Sequence, residues 1–400
     1  RAGAPAPRPA VAAARPAAGG AAVEALDALL ETAARLGASD LHLEPEAEGG
    51  RARARVDGAM RVLARLDAAT YPAAIARAKV LASLDVAERR LPQDGRARLP
   101  LAGRRIDLRL STAPASGGET LAIRLLDPEA APGSLSALGL PAEYEAVVAA
   151  AARRPHGLFL LTGPTGAGKT TTLHAALAGL NDEARKIMTA EDPVEYEIPG
   201  VVQMQVRAEI GFDFARAQRA MLRHNPDVMM VGEIRDRESA AVAIQAALTG
   251  HLVLSTVHAN SAAGAAIRLL DLGAEPFLVS AALIGAGAQR LARRLCDACA
   301  EPDAPDAAAL RRIGAREDGR WRRAKGCPAC QGTGVKGRVP VAEAFLASRA
   351  FSDAVRGDSP SEAGLAALTG ATPLHEAALD LAAAGTISLD EALRVAPPPS

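Results

Sequence analysis

Apolar residues Val23, Leu26, Leu29 and Leu30 recur at helical spacing between Ala21 and about Leu36, which predicts an amphipathic helix. The pattern then changes to a period of two. Asp40–Glu44, Arg51–Val56, Arg96–Leu99, Arg105–Leu110 and Leu121–Leu125 alternate apolar with polar side chains. Such runs predict half-buried strands of an antiparallel sheet, with a helix around Tyr71–Ala82, and so a small α+β domain over 21–127. The turn-rich stretch Asp127-Pro-Glu-Ala-Ala-Pro-Gly-Ser134 marks a linker, placed at 128–140. Beyond it the runs become continuously apolar, at 157–162, 186–190, 227–231 and 252–256, with helical segments between them. That alternation predicts a parallel sheet covered on both faces, an α/β domain over 141–295. A cysteine-bearing element follows at 296–335, then an Ala-rich region, expected to be helical, at 336–400.

The first predicted parallel strand runs into Gly163, Pro164, Thr165, Gly166, Ala167, Gly168, Lys169 and Thr170, followed by Thr171 and an apolar helix. Strand, glycine-rich loop and helix in that order form a phosphate cradle. Backbone N–H groups turn toward a phosphate, and the helix N-terminus adds partial positive charge. Lys169 is expected to reach the β- and γ-phosphates of ATP, and the Thr170 hydroxyl to take a place on Mg²⁺. The next strands end in Glu191-Asp-Pro-Val-Glu195, Gly232-Glu-Ile-Arg-Asp236 and Thr256-Val-His-Ala-Asn260. Ligands of parallel sheets bind off these carboxyl ends. Glu191 and Glu233 are therefore candidates for orienting an attacking water and for the outer shell of Mg²⁺. Gly232 precedes Glu233 where an acidic residue is more usual, so Glu191 or Asp192 could carry part of the metal's environment. His258 could sense or donate to the γ-phosphate. His251 is expected at the opposite end of the sheet, and His174 on the surface of the loop helix.

All four cysteines fall in Cys296-x-x-Cys299 and Cys327-x-x-Cys330. Two such pairs fit a structural Cys₄ zinc site, with a disulfide pair as the competitor. The chain has 400 residues, formal net charge zero and 2% aromatic residues, so neither a basic field nor stacking platforms favour direct nucleic-acid binding. The longest apolar stretch, Phe277 to Ala288, is too short for a bilayer, which needs about 20 residues. Residues 1–20 are rich in Ala, Pro, Gly and Arg without an acidic residue, and are expected to form a flexible leader or linker. They lack the apolar core of a signal peptide, so a cytoplasmic protein is the expectation. The start at Arg1 rather than Met raises the expectation of missing upstream sequence.

The motifs taken together resemble one family. Ser39-Asp-Leu-His-Leu-Glu-Pro45, Arg55-Val-Asp-Gly58, Leu91-Pro-Gln-Asp-Gly-Arg96 and Asp107-Leu-Arg-Leu-Ser-Thr112 resemble the N-terminal domain of secretion ATPases. The phosphate loop, Glu191–Tyr196, Asn225–Asp236 and Thr249–Asn260 follow in the order of that family's Walker A, Asp, Walker B and His boxes. The chain is thus identified as a member of the type II/type IV secretion and pilus-assembly ATPases. Its Cys₄ element favours the assembly branch, nearest the type II secretion ATPases, with pilus-extension ATPases as the alternative. The resemblance implies a RecA-like P-loop core with a smaller, PAS-like N-terminal domain, and a homo-hexamer with ATP at subunit interfaces. It implies Arg96 and Arg109 as arginine fingers, Arg124 as a weaker one, and Arg235 as a catalytic-rim arginine. It also implies work at the cytoplasmic face of the inner membrane, through platform proteins that add pilin-like subunits. Ala167 stands where Ser is common, and His224-Asn225 replace a more usual Gln-Asp. Further N-terminal docking domains are usual in the family.

Overall fold

The computed structural model describes residues 21–128 and 133–398. The expected leader at 1–20 lies outside the described residues, as does part of the expected linker. The chain forms two compact units, one up to residue 130 and one from 131 onward.

In the first unit, α1 (Ala21–Arg35) precedes β1 (Asp40–Glu46), β2 (Gly49–Val56) and β3 (Ala59–Leu66). Then come α2 (Thr70–Leu81), β4 (Gln93–Leu101), β5 (Arg104–Ala115) and β6 (Gly118–Leu126). The strands form one antiparallel sheet of order β3-β2-β1-β6-β5-β4. Strand alternation sends Leu41, Leu43, Ala52, Ala54, Leu108, Leu110, Leu121 and Ile123 to one face. There they pack with Leu26 and Leu30 of α1 and with Ile75 and Ala78 of α2. Lys79, 1% exposed, is buried in α2 because its ammonium finds Glu119 Oε1 at 2.5 Å and the Glu88 carbonyl at 2.6 Å. The opposite face carries the arginines. Arg96 lies directly opposite Arg109, which lies opposite Arg124, so the three stand in one row across β4, β5 and β6.

The second unit starts with α3 (Ala142–Ala152), β7 (Gly157–Thr162), α4 (Lys169–Ala178), β8 (Ile187–Glu191) and β9 (Val202–Gln205). Next are α5 (Phe214–Leu222), β10 (Val228–Val231), α6 (Arg237–Leu248), β11 (Leu252–Val257), α7 (Gly264–Asp271), α8 (Pro276–Ala282) and β12 (Leu283–Leu295). The seven-stranded sheet has the order β15-β12-β7-β11-β10-β8-β9, where β15 spans Val335–Leu346. Every pairing is parallel except β12 with β15. Side-chain alternation divides each buried strand between two cores. Leu158 and Leu160 of β7 join Met229, Val231 and Val253 under α5 and α6. Phe159 and Leu161 join Val228, Met230 and Leu254 under α3 and α4. This is the expected α/β core.

The region from 296 returns to that core. Between β12 and β15 lie β13 (Glu301–Pro302), α9 (Ala307–Arg312) and β14 (Arg322–Arg323), and this excursion holds the cysteines. The expectation of helix from 336 is corrected for its first residues, which β15 takes because β12 offers an unpaired edge. Helices α10 (Arg349–Val355), α11 (Glu362–Ala366), α12 (Leu374–Ala383) and α13 (Leu389–Val395) then close over the larger core. Among the described residues no helix is long and apolar enough to cross a membrane.

Glu391 fastens α13 to β12. Its carboxylate, 4% exposed, accepts from the Arg293 backbone N–H at 2.7 Å and from the Arg293 and Arg394 guanidinium groups. Burial alone raises its pKa, but hydrogen bonds from Arg394 and Arg293 reverse that and hold it at about 2, against 4.5 in the unfolded chain. A depressed folded-state pKa gives stability that is present above pH 4.5 and lost as pH falls toward 2. The clamp should therefore forfeit up to roughly 3 kcal/mol across that window. Denaturant melts at pH 7 and pH 3.5 check this: the wild-type lead over Glu391→Gln should shrink on acidification, and an unchanged lead contradicts it.

Candidate nucleotide site

The phosphate loop leaves β7 and enters α4 through three glycines with positive φ: Gly163 (142°), Gly166 (76°) and Gly168 (86°). Two of them are also sterically required. A Cβ at Gly163 would lie 2.4 Å from the Gln289 carbonyl oxygen, and one at Gly168 would lie 2.9 Å from Gln289 Nε2. Pro164, Thr165 and Gly166 are exposed at the loop's crest, while Ala167 is buried beneath it. Thr170 and Thr171 are half-buried at the first turn of α4. Lys169 donates to the carbonyls of Gly163 and Pro164 at 2.8 and 3.0 Å, curling back over the loop it would share with a phosphate. Burial, with the charge of Arg290 added, lowers the Lys169 ammonium to about 8. An anion in the cradle relieves both effects.

Gln289 is 3% exposed on β12, and its Oε1 accepts from Thr172 Oγ1 at 2.9 Å and the Tyr144 hydroxyl at 3.2 Å. Its neighbour Arg290 donates to the Gln289 and Asn260 carbonyls at 3.0 and 2.9 Å. Sequence reasoning missed both residues, since a glutamine and an arginine after a run of small residues carry no motif of their own.

Glu233, Arg235 and His258 come together at the ends of β10 and β11. Arg235 Nε pairs with Glu233 Oε1, and His258 Nε2 lies 3.2 Å from Glu233 Oε2. The two strand ends are tied by Ser255 Oγ donating to the Val231 carbonyl (2.7 Å) and Thr256 Oγ1 to that of Gly232 (2.8 Å). Desolvation lowers the His258 pKa, and the charges of Lys169, Arg235 and Arg268 lower it further. Arg235 also lies 5.7 Å over the Phe214 ring and 4.0 Å from the exposed Asp192.

Glu191 is 2% exposed at the end of β8. It accepts from Thr189 Oγ1 at 2.6 Å, Gln203 Nε2 at 3.0 Å and His174 Nε2 at 3.0 Å. Burial raises its pKa, yet the His174 contact and the other hydrogen bonds outweigh that and keep it below the ordinary carboxylate value. His174 is thus not on the helix surface as expected, because α4 is covered on most of its circumference. His251, by contrast, caps local backbone, with Nδ1 3.0 Å from the Ala246 carbonyl.

The four cysteine sulfurs all lie within 4.8 Å of one another, with 296–327 at 3.9 Å and both 299–330 and 327–330 at 3.7 Å. They could hold a metal ion. Thiolates 2.3 Å from a tetrahedral zinc stand about 3.8 Å apart, which these spacings match. Cys330 Sγ accepts from the backbone N–H groups of Cys327 and Gly334, both at 3.1 Å, as a thiolate ligand requires. Arg96 and Arg109 belong to the first unit, side by side in its arginine row.

Comparison with known proteins agrees with this architecture. The Type II/IV secretion system protein family profile matches residues 17–394. Type II secretion system protein HxcR of Pseudomonas aeruginosa is 46% identical over 375 residues, covering 93% of this chain and 77% of that protein. Type II secretion system ATPase E of Vibrio cholerae is 43% identical over 376 residues, 93% of this chain and 75% of that protein. Among solved structures, the pilus retraction motor PilT with bound ADP superimposes with a TM-score of 0.65 at 26% identity, over 94% of this chain and 97% of its own. The Legionella pneumophila ATPase DotB, at 23% identity and a TM-score of 0.68, covers 92% of this chain and 94% of its own, and shows the fold alone. The chain belongs to the type II/IV secretion system protein family.

Proposed function

We propose that this chain is a type II secretion ATPase, which hydrolyses ATP to ADP and phosphate to drive pseudopilus assembly. The observation that carries the reading is one sheet edge bearing a glycine cradle closed by Lys169 and, from the next two strands, the Glu233–His258–Arg235 cluster. In this reading Lys169 leaves the loop carbonyls for the β- and γ-phosphates, and the α4 N-terminus stabilises their charge. Thr170 has the hydroxyl chemistry to hold Mg²⁺, which supplies charge neutralisation when bound. Glu233 and Glu191 orient water and withdraw its proton, while Arg235 and His258 fix Glu233 in place.

The arginine row gives the first unit a part. Arg96, Arg109 and Arg124 stand opposite one another, with Asp40 3.5 Å from Arg124. Guanidinium groups ranged on one face match the charge of a triphosphate, which supports Arg96 and Arg109 as fingers reaching ATP at a subunit interface. The assembly would be a homo-hexamer acting at the cytoplasmic face of the inner membrane through platform proteins. Zinc at Cys296, Cys299, Cys327 and Cys330 would be structural, since four protein thiolates leave no open position.

Lys169→Ala should lose nucleotide-dependent activity, while Glu233→Gln should still bind ATP and hydrolyse it roughly 10²-fold or more slower. Phosphate release alongside fluorescent-nucleotide binding checks both, and wild-type turnover in Glu233→Gln would contradict the Glu233 role. Elemental analysis should find one zinc per chain, lost in Cys330→Ser. Its removal should loosen 296–335 in hydrogen exchange while leaving nucleotide binding intact, and a purified chain without zinc would contradict the Cys₄ reading.

A further inference from the structure

His174 lies in α4, the helix that begins at Lys169, yet it is buried to 2% exposure and turned toward Glu191. Its Nε2 donates to Glu191 Oε2 at 3.0 Å. The other carboxylate oxygen is taken by Thr189 Oγ1 and Gln203 Nε2. The imidazole stands edge-on to the Tyr196 ring, centroids 5.3 Å apart and 73° between planes. His174 Nδ1 is buried and unpartnered, so the ring's polar contact runs through Nε2 to Glu191 alone. A core filler needs none of this chemistry: a phenyl ring fills the same space and stacks on Tyr196 as well. A histidine there means that a buried hydrogen bond to a carboxylate is being used.

Resting on the reading of Glu191 as a catalytic-rim carboxylate, we propose that His174 is a positioning residue for ATP hydrolysis. It holds Glu191 ionised and aimed from the same helix that grips the phosphates. Loop, helix and carboxylate then move as one body, and nucleotide in the cradle meets a carboxylate already oriented. Without the donor, Glu191 keeps its burial but loses an anchor, and the chemical step suffers more than binding does.

The test is steady-state ATP hydrolysis by the full chain in His174→Phe and His174→Gln. The phenyl variant should lower kcat by roughly tenfold or more with KM within about twofold of wild type. The glutamine variant, whose amide can donate to Glu191, should recover most of kcat. In the Glu191→Gln background His174→Phe should cost nothing further. Wild-type kcat in a folded His174→Phe, or equal damage in both variants, overturns the proposal. If the phenyl variant does not fold, His174→Ala assayed with and without free imidazole decides: restored kcat supports the donor role, and no response overturns it. Wild type and Lys169→Ala run alongside keep the two readings apart. No Lys169-dependent hydrolysis in wild type sinks the ATPase reading and this one with it, whereas intact hydrolysis indifferent to His174 sinks this one alone.

Discussion

The backbone of the phosphate loop lies directly against β12, and the rest of the site depends on that contact. The Gln289 carbonyl leaves no room for a side chain at Gly163, and its amide leaves none at Gly168. The Gln289 side chain then binds Thr172 on α4 and Tyr144 on α3. Loop, helix and strand are thereby fixed to one another before any ligand arrives, a preorganisation that saves the entropy of ordering a mobile glycine loop around phosphate. Parallel pairing does the remainder. Because β7, β11, β10 and β8 run the same way, their carboxyl ends deliver the loop, His258, Glu233 and Glu191 to one edge.

That edge is electrostatically uneven in a way that suits a polyphosphate. Lys169, Arg290 and Arg235 bring positive charge near the cradle, and the depression of Lys169 to about 8 records both its desolvation and the nearness of Arg290. The carboxylates are held by specific partners instead of being left to neutralise Lys169: Glu233 by Arg235 and His258, Glu191 by Thr189, Gln203 and His174. Acidic and basic side chains thus coexist at this edge without the carboxylates pairing with Lys169. Pairing with β15 and the Glu391 clamp at Arg293 secure the strand that carries Gln289.

Much of this was legible in the sequence where one physical signal dominated. The buried parallel strands announce themselves as unbroken apolar runs, and glycine, lysine and threonine at phosphate-loop spacing have few other uses. β12 and β3 went unread for two different reasons. β12 begins Leu283-Ile-Gly-Ala-Gly-Ala, poor strand material, because side chains at Gly285 and Gly287 would strike the Phe345 carbonyl and the Tyr144 ring. β3 escaped because its ladder with β2 slips at Ala52–Arg53, which blurs the alternation around Val62. His174 was misplaced because α4 is buried on most sides, so helical periodicity offered no exposed face to exclude it from. Gln289 acts on residues far from it in sequence, Thr172 and Tyr144, and Arg290 on backbone carbonyls, so neither leaves a local motif.

The most direct test of the central claim is Mg²⁺-dependent ATP hydrolysis measured across a wide range of protein concentration, with oligomer size followed in the same samples. A site completed by a neighbouring subunit's arginines predicts specific activity that climbs with concentration in step with assembly. Full activity per chain in samples that remain monomeric would contradict it.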